Sequence, residues 1–399
     1  MLGRLRNFVK NNWKKVLFGG IGGYVFVGLT RLAANRYLTY QETRSRSLLR
    51  SIKKQQLFEM MEENYITTFR TWFELMKENI KRNLNAEKVT DMLKKGHGQK
   101  YENWMELKMV AFTNILSLVY GSAMLSLLIR IQVNVISGLL FKQMEEVPPG
   151  LEDFGGAGDG LGPRRITDDL QQKYMSLTRY LCTKGMDGLC SYIYETAHGV
   201  VSRLSLKQKF TVADVEQMFQ IIKDQKLNED SKKVGVQDWH PIKDAYRYMF
   251  SEELIKRYIL PQEACIKTET DEEKFLRTVM CETHDLIEAE DAKTILQFLE
   301  TLGLNHYLDK ISEFLYSFPQ AVDSDASRIS EEYGSTDPPL ESELGEPAAP
   351  LAKLIPIMNA FIELETADDP WANTLLTNES LRSFSANVYE SYCSKQLDA

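Results

Sequence analysis

From Met109 to Ile129 the chain runs twenty-one residues without a charge, the longest such stretch in the sequence. A helix of that length either crosses a bilayer or lies at the centre of a protein large enough to surround it. The run contains Thr113, Asn114, Ser117, Ser122 and Ser126, and its helical pattern continues through Arg130, Gln132 and Asn134 without a break. Polar groups spread through and beyond the run favour the second reading, a buried core helix. With 399 residues and 43% hydrophobic content, the chain has enough material to bury one.

The rest of the chain has the composition such a helix needs for company. Residues 41–95 contain no Pro or Gly. Their apolar positions, among them Leu57, Met60, Met61, Ile66, Phe69, Phe73, Met76 and Ile80, recur at three and four. Gly96 and Gly98 predict a turn, and the core helix is expected from about Tyr101 to Met144, before Pro148 and Pro149. A Gly-rich loop follows at 151–165. It holds no GxGxxG and no βαβ context surrounds it, so it does not fit a phosphate cradle. Thr167 is the expected N-cap of a helix running past Cys190 towards Arg203, and Thr211 or Asp214 starts another over 212–225. The stretch 227–236 is polar and loop-like. Further helices are predicted over 246–260, 271–288, 292–301 (with Gly303 as its stop), 351–364 and 380–394. Period-two alternation is scarce. The expected fold class is all-α, one elongated multi-helix bundle.

The formal charge of −8 is concentrated. Between Gln320 and Ala349 eight acidic residues face one basic, Arg328, which leaves the remainder near neutral. Four prolines and six Ser or Thr accompany them, so 320–350 is expected to be a disordered loop. No concentrated basic surface argues for nucleic acid. Cys182, Cys190, Cys265, Cys281 and Cys393 are odd in number and without close pairs, which fits a reducing compartment.

Near the N-terminus, Arg4, Arg6, Lys10, Lys14 and Lys15 precede the uncharged run VLFGGIGGYVFVGLT, residues 16–30. Fifteen residues make roughly 22 Å of helix, short of a hydrocarbon core of about 30 Å, though flanking Lys and Arg can snorkel and Trp13 can sit at the interface. A cleaved secretory signal, a mitochondrial presequence and a retained anchor compete. No convincing small-x-small cleavage site follows before Arg31, and a presequence is amphipathic where this run is continuously apolar, so the anchor fits best. The division expected is a basic leader, 1–15, a single transmembrane anchor, 16–30, and an all-helical domain, 31–399. Basic residues on both flanks leave the orientation open.

No catalytic constellation emerges. His97, His198, His240, His284 and His306 are scattered, and HExxH, CxxC, GxSxG and GxxxxGK[ST] are absent. His284 lies three residues from Cys281, a pair more often explained by packing than by a ligand set. The chain is therefore read as a non-enzyme without metal or cofactor.

Two helix ends flank the Gly96–Gly98 turn. Thr90, Leu93 and Lys94 are spaced i, i+3, i+4, as are Trp104, Leu107 and Lys108, so each triplet shares a face. Together they either close the top of the bundle or form an apolar floor with a Trp anchor and a lysine rim. The second suits an amphipathic partner helix with acidic flanks.

Three blocks make the chain recognisable. One is the basic leader with its Gly-rich hydrophobic run. The second is 104–140, with W-x-x-LK, an FT pair and LLxRxQxNxIxG. The third is LAKLIPIMN (351–359), followed by SFSANVYESY (383–392). In these the chain resembles the peroxin-3 family; from about 176 to 320 the likeness is in helical character alone. The resemblance implies a short N-terminus in the organelle lumen and one crossing of the peroxisomal membrane. It also implies a cytosolic helical domain that binds an amphipathic N-terminal helix of peroxin-19, with its membrane-protein cargo, in a membrane-distal groove. Carried over, that groove falls on Thr90, Leu93, Lys94, Lys100, Trp104, Leu107, Lys108, Asn134, Leu140 and Lys353. The anchor would supply the contact with membrane lipid. The alternative is a membrane-anchored structural tether or lipid-contacting scaffold with its partner site elsewhere.

Overall fold

A helix apolar on all sides must be covered on all sides, and every residue from Met109 to Ile129 is buried. The computed structural model describes residues 43–95, 100–146, 167–227, 235–260, 269–317 and 346–394. The leader, the anchor, the Gly96–Gly98 turn, the Gly-rich loop and most of the acidic segment lie outside these. In chain order the helices are α1 (Thr43–Leu84), α2 (Ala86–Lys94), α3 (Lys100–Glu146) and α4 (Asp168–Tyr180), which passes through a π-turn (Leu181–Gly185) into α5 (Met186–Val201). A two-residue strand β1 (Lys209–Phe210) precedes α6 (Val212–Asp224), α7 (Ala245–Met249) and α8 (Glu252–Leu254), the last continuing as a π-turn (Ile255–Ile259). Then come α9 (Asp271–Glu288), α10 (Glu290–Ser317), β2 (Ala349–Pro350), α11 (Leu351–Leu364), α12 (Pro370–Thr377) and α13 (Glu379–Ser394). The all-α class is as expected. Among the described residues the one small sheet is β1 paired antiparallel with β2, Lys209 opposite Pro350 and Phe210 opposite Ala349.

Helix α3 is the axis, packed by α1, α5, α10, α11 and α13. Its polar residues explain why the helix could run past Ile129 without leaving the core. Gln132 points about 200° around the helix from Arg130 and Asn134, which are four residues apart and share a face. Each finds a different neighbour. Arg130 donates to Glu62 Oε1 at 2.7 Å on α1 and to the Leu376 carbonyl at 3.0 Å on α12. Gln132 donates to the Tyr174 carbonyl of α4 at 2.7 Å and accepts from Thr178. Asn134 donates to Ser385 Oγ of α13 at 2.7 Å. A buried polar group without a partner costs free energy, so these bonds fix which helix lies on which side.

Three expected boundaries move. The helix predicted over 41–95 breaks at Asn85, whose φ of 51° is left-handed, a conformation Asn tolerates better than most residues. Gly303 is interior to α10. A Cβ there would lie 2.8 Å from Val119 Cγ1 and 3.0 Å from the Trp371 ring, so this glycine admits close helix packing and is no stop. The stretch 246–260 is interrupted by extended backbone at Phe250, after which Ser251 Oγ caps a new start by accepting from Leu254 N at 3.2 Å. The caps at Thr167 and Thr211 are as expected, and Thr211 forms a reciprocal box with Asp214.

One buried charge cluster ties the far helices together. Glu365, just after α11, is fully buried, with Lys310 and His306 of α10 on its carboxylate and Lys77 of α1 donating to its carbonyl at 2.7 Å. Burial pushes this carboxyl up, but the hydrogen bonds and charges of His306 and Lys310 outweigh it, and the net shift is downward. A carboxylate held below its unfolded value stabilises the fold above that value and loses the contribution as pH falls through the folded one. Glu365→Gln is expected to lower the melting temperature at neutral pH and to flatten its decline on the acid side. A variant whose melting temperature tracks the wild type across pH would contradict this.

Candidate functional site

The break at Asn85 matters because it turns α2 away from the line of α1 and against the start of α3. Asn85 N–H still donates to the Lys81 carbonyl at 2.9 Å, so the chain bends without losing its helical bonding at that point. No residue of α2 is fully buried. Leu93 and Val89 pack on the core with part of their surface in solvent.

Along the facing edge of α3, exposure falls steadily. Lys100 and Tyr101 are exposed, Trp104 is partly buried, and Leu107 and Lys108 are inside. These five lie within about a third of the helix circumference of one another. The end of α3 therefore enters the core obliquely, with Trp104 at the waterline. Tyr101 keeps 67% and Met92 keeps 37% of its surface exposed, so the apolar patch extends beyond Leu93 and Trp104. Sequence spacing missed both, although Tyr101 stands three residues before Trp104 and so shares its face.

Lys94, Lys100 and Lys353 are exposed, and none has an ion-pair partner among the described residues. Thr90 is partly buried and its hydroxyl is turned onto its own helix, donating to the Ala86 carbonyl at 2.8 Å.

Three of the ten residues need correction. Lys108, expected on the rim, is fully buried, and its ammonium donates to the carbonyls of Leu204 at 2.8 Å and Ser202 at 3.3 Å. Burial pushes its pKa below the usual lysine value. Asn134 and Leu140 are both buried and lie 30 and 36 residues along the same helix from Trp104, which is about 45 and 54 Å. The structure does not bring them to the Trp104 end. Asn134 joins α3 to α13, and Leu140 belongs to the core there.

The wall beside the patch comes from α11. Asn359 donates to the Leu107 carbonyl at 3.1 Å and accepts from Asn114 at 2.9 Å, locking α11 across α3. Lys353 lies in the first turn of that helix.

Reactive groups elsewhere are engaged in packing. Cys281 Sγ lies 3.1 Å from the Tyr258 carbonyl, and His284 meets Tyr246 edge-on at 4.7 Å between ring centroids. Burial pushes the Cys190 thiol up to about 12, which keeps it protonated and unreactive. Among the described residues no group of three or more His, Cys, Asp or Glu is placed to hold a metal. What the Trp104 end can do chemically is bind: it offers an apolar floor with an aromatic anchor, edged by cations.

Comparison with known proteins gives a consistent picture. A family model described as Peroxin-3 matches residues 157–391, including the stretch where motif likeness was weakest. A human protein named peroxisomal biogenesis factor 3 is 28% identical, covering 99% of this chain and 99% of its own length. The cattle protein of that name is 26% identical over 98% of this chain and 97% of its own. The Yarrowia lipolytica protein of that name is 22% identical over 72% and 68%. The Trp104 end lies before the stretch the family model matches, but the human protein aligns over nearly the whole chain.

Proposed function

This chain belongs to the peroxin-3 family and so to the factors of peroxisome biogenesis, and from that premise we propose that its Trp104 end is a docking site for the amphipathic N-terminal helix of peroxin-19. The homologues imply a peroxisomal membrane location. In this reading residues 16–30 anchor the chain there with a single span, and the helical domain faces the cytosol. Peroxin-19 arrives with membrane-protein cargo, engages the groove, and releases the cargo to the bilayer.

The observation that carries the reading is the exposure gradient along α3. It leaves Trp104 partly in solvent at the end of α3 that packs against α2, where Leu93, Met92 and Tyr101 also keep exposed surface, and Lys94, Lys100 and Lys353 have no ion-pair partner among the described residues. An amphipathic helix entering this patch would bury its apolar side chains for roughly 1.5–3 kcal/mol each. Acidic residues flanking its apolar face would meet the lysines, which contribute mainly to orientation and encounter rate. The patch also stands at the opposite end of α1 from Thr43. A helix of 42 residues is about 63 Å long, and this separation supports a site remote from the anchor.

The test is direct. Labelled peroxin-19 N-terminal peptide is titrated against the purified chain, and the chain is used to capture intact peroxin-19 with a membrane-protein cargo. Saturable binding that weakens with salt is expected. Absence of binding by both peptide and intact protein would remove the proposal.

A further inference from the structure

Lys108 poses a problem that the docking reading alone leaves open. It has no exposed surface, and no carboxylate lies within ion-pair distance of it among the described residues. An unpaired ammonium is costly to bury unless its protons are taken up. Here they go to the carbonyls of Ser202 and Leu204. Ser202 is the C-cap of α5, where the last carbonyls of a helix lack intrahelical donors and a cation is favoured.

The segment held in this way is the one that seats α11. Two residues after Leu204, the Leu206 carbonyl accepts from Ala352 N at 3.0 Å, and the Gln208 carbonyl accepts from Leu351 N at 2.9 Å. Lys209 and Phe210 then pair with Pro350 and Ala349. Three segments distant in sequence are thus linked in one run of hydrogen bonds. The link starts on α3 one turn below Trp104 and ends beside Lys353.

We propose that Lys108 is a positioning residue of the docking site, holding the 202–210 segment so that α11 begins, and Lys353 stands, beside the Trp104 patch. It does not touch the bound helix. This rests on the docking reading above and assigns within that site which lysines meet the ligand and which shape the wall. Lys94, Lys100 and Lys353 supply the cationic edge. Lys108 acts through backbone.

The experiment uses the full-length chain and the labelled peroxin-19 peptide at several salt concentrations. Lys108→Met keeps the unbranched shape of the side chain, one atom shorter, but removes its donors. It is expected to weaken the peptide about fivefold or more while leaving the dependence of affinity on salt unchanged. Amide exchange at Leu351 and Ala352 should accelerate. Lys94→Ala, by contrast, should flatten the salt dependence. In a Lys353→Ala background, Lys108→Met should cost clearly less than it does alone. A second variant breaks the same link from its other end: Ala352→Pro deletes the N–H that reaches Leu206, at a first-turn position where a helix tolerates proline. It should weaken the peptide to a similar degree, and it decides the matter if Lys108→Met does not fold. Overturning results are unchanged affinity in the folded variants, or a salt dependence that flattens in Lys108→Met as in Lys94→Ala. Trp104→Ala separates the two levels. If it leaves affinity unchanged, the docking reading itself fails; if it abolishes binding while Lys108→Met and Ala352→Pro do not weaken it, only the positioning role fails.

Discussion

Trp104→Ala is expected to weaken binding of the peroxin-19 peptide by about tenfold or more, with the helical circular-dichroism spectrum intact. The indole is partly exposed in the free protein, so its truncation opens no sealed cavity in the core. What it removes is an aromatic side chain at the mouth of the patch, and aromatic residues in such positions often carry much of a binding energy. Fluorescence anisotropy of the labelled peptide reads the affinity. An unchanged dissociation constant in a well-folded variant would place the partner elsewhere. Tyr101 and Met92, exposed beside it, would then have no reason to be apolar that the fold supplies.

Arg130→Met is expected to have the largest effect on stability, with no direct part in binding. The guanidinium lies 3.9 Å above the Tyr65 ring, pairs with Glu62 at 2.7 Å and reaches the Leu376 carbonyl at 3.0 Å. Its side chain is 1% exposed, while that of Glu62 is 18% exposed. Removing one partner of a buried pair costs about 3–5 kcal/mol when the other stays dry. Water can reach Glu62, so the lower end of that range applies. Urea denaturation should show a lower midpoint with an unchanged slope. Adding Glu62→Gln should cost less than the sum of the two single changes. A wild-type midpoint for Arg130→Met would show that the α1–α3–α12 junction does not depend on this pair.

The fold was largely legible because helical periodicity is local. The apolar spacing of α1, the uncharged run of α3 and the Thr167 and Thr211 caps are each written within a few residues of where they act. Gly303 shows where that locality ends. In sequence an isolated glycine after a helical stretch resembles a stop, and only the approach of Val119 and Trp371 shows that it is a contact. Asn85 is similar: nothing near it marks a bend, yet its left-handed backbone turns α2 onto α3.

The candidate site divides along the same line. Spacing alone determined that Thr90, Leu93 and Lys94 share one face and that Trp104, Leu107 and Lys108 share another, because residues three and four apart meet on any helix. Which of these faces water could not be read that way. Whether Lys108 stands on a rim or under a wall depends on Ser202 and Leu204, some ninety residues further along, and on the end of α5 that they form. Asn134 and Leu140 share a helix with Trp104, but 1.5 Å of rise per residue carries them to its other end. Sequence determined the uncharged helix at the centre and the faces around it. Tertiary structure decided what covers each face, because burial depends on neighbours that come from distant parts of the chain.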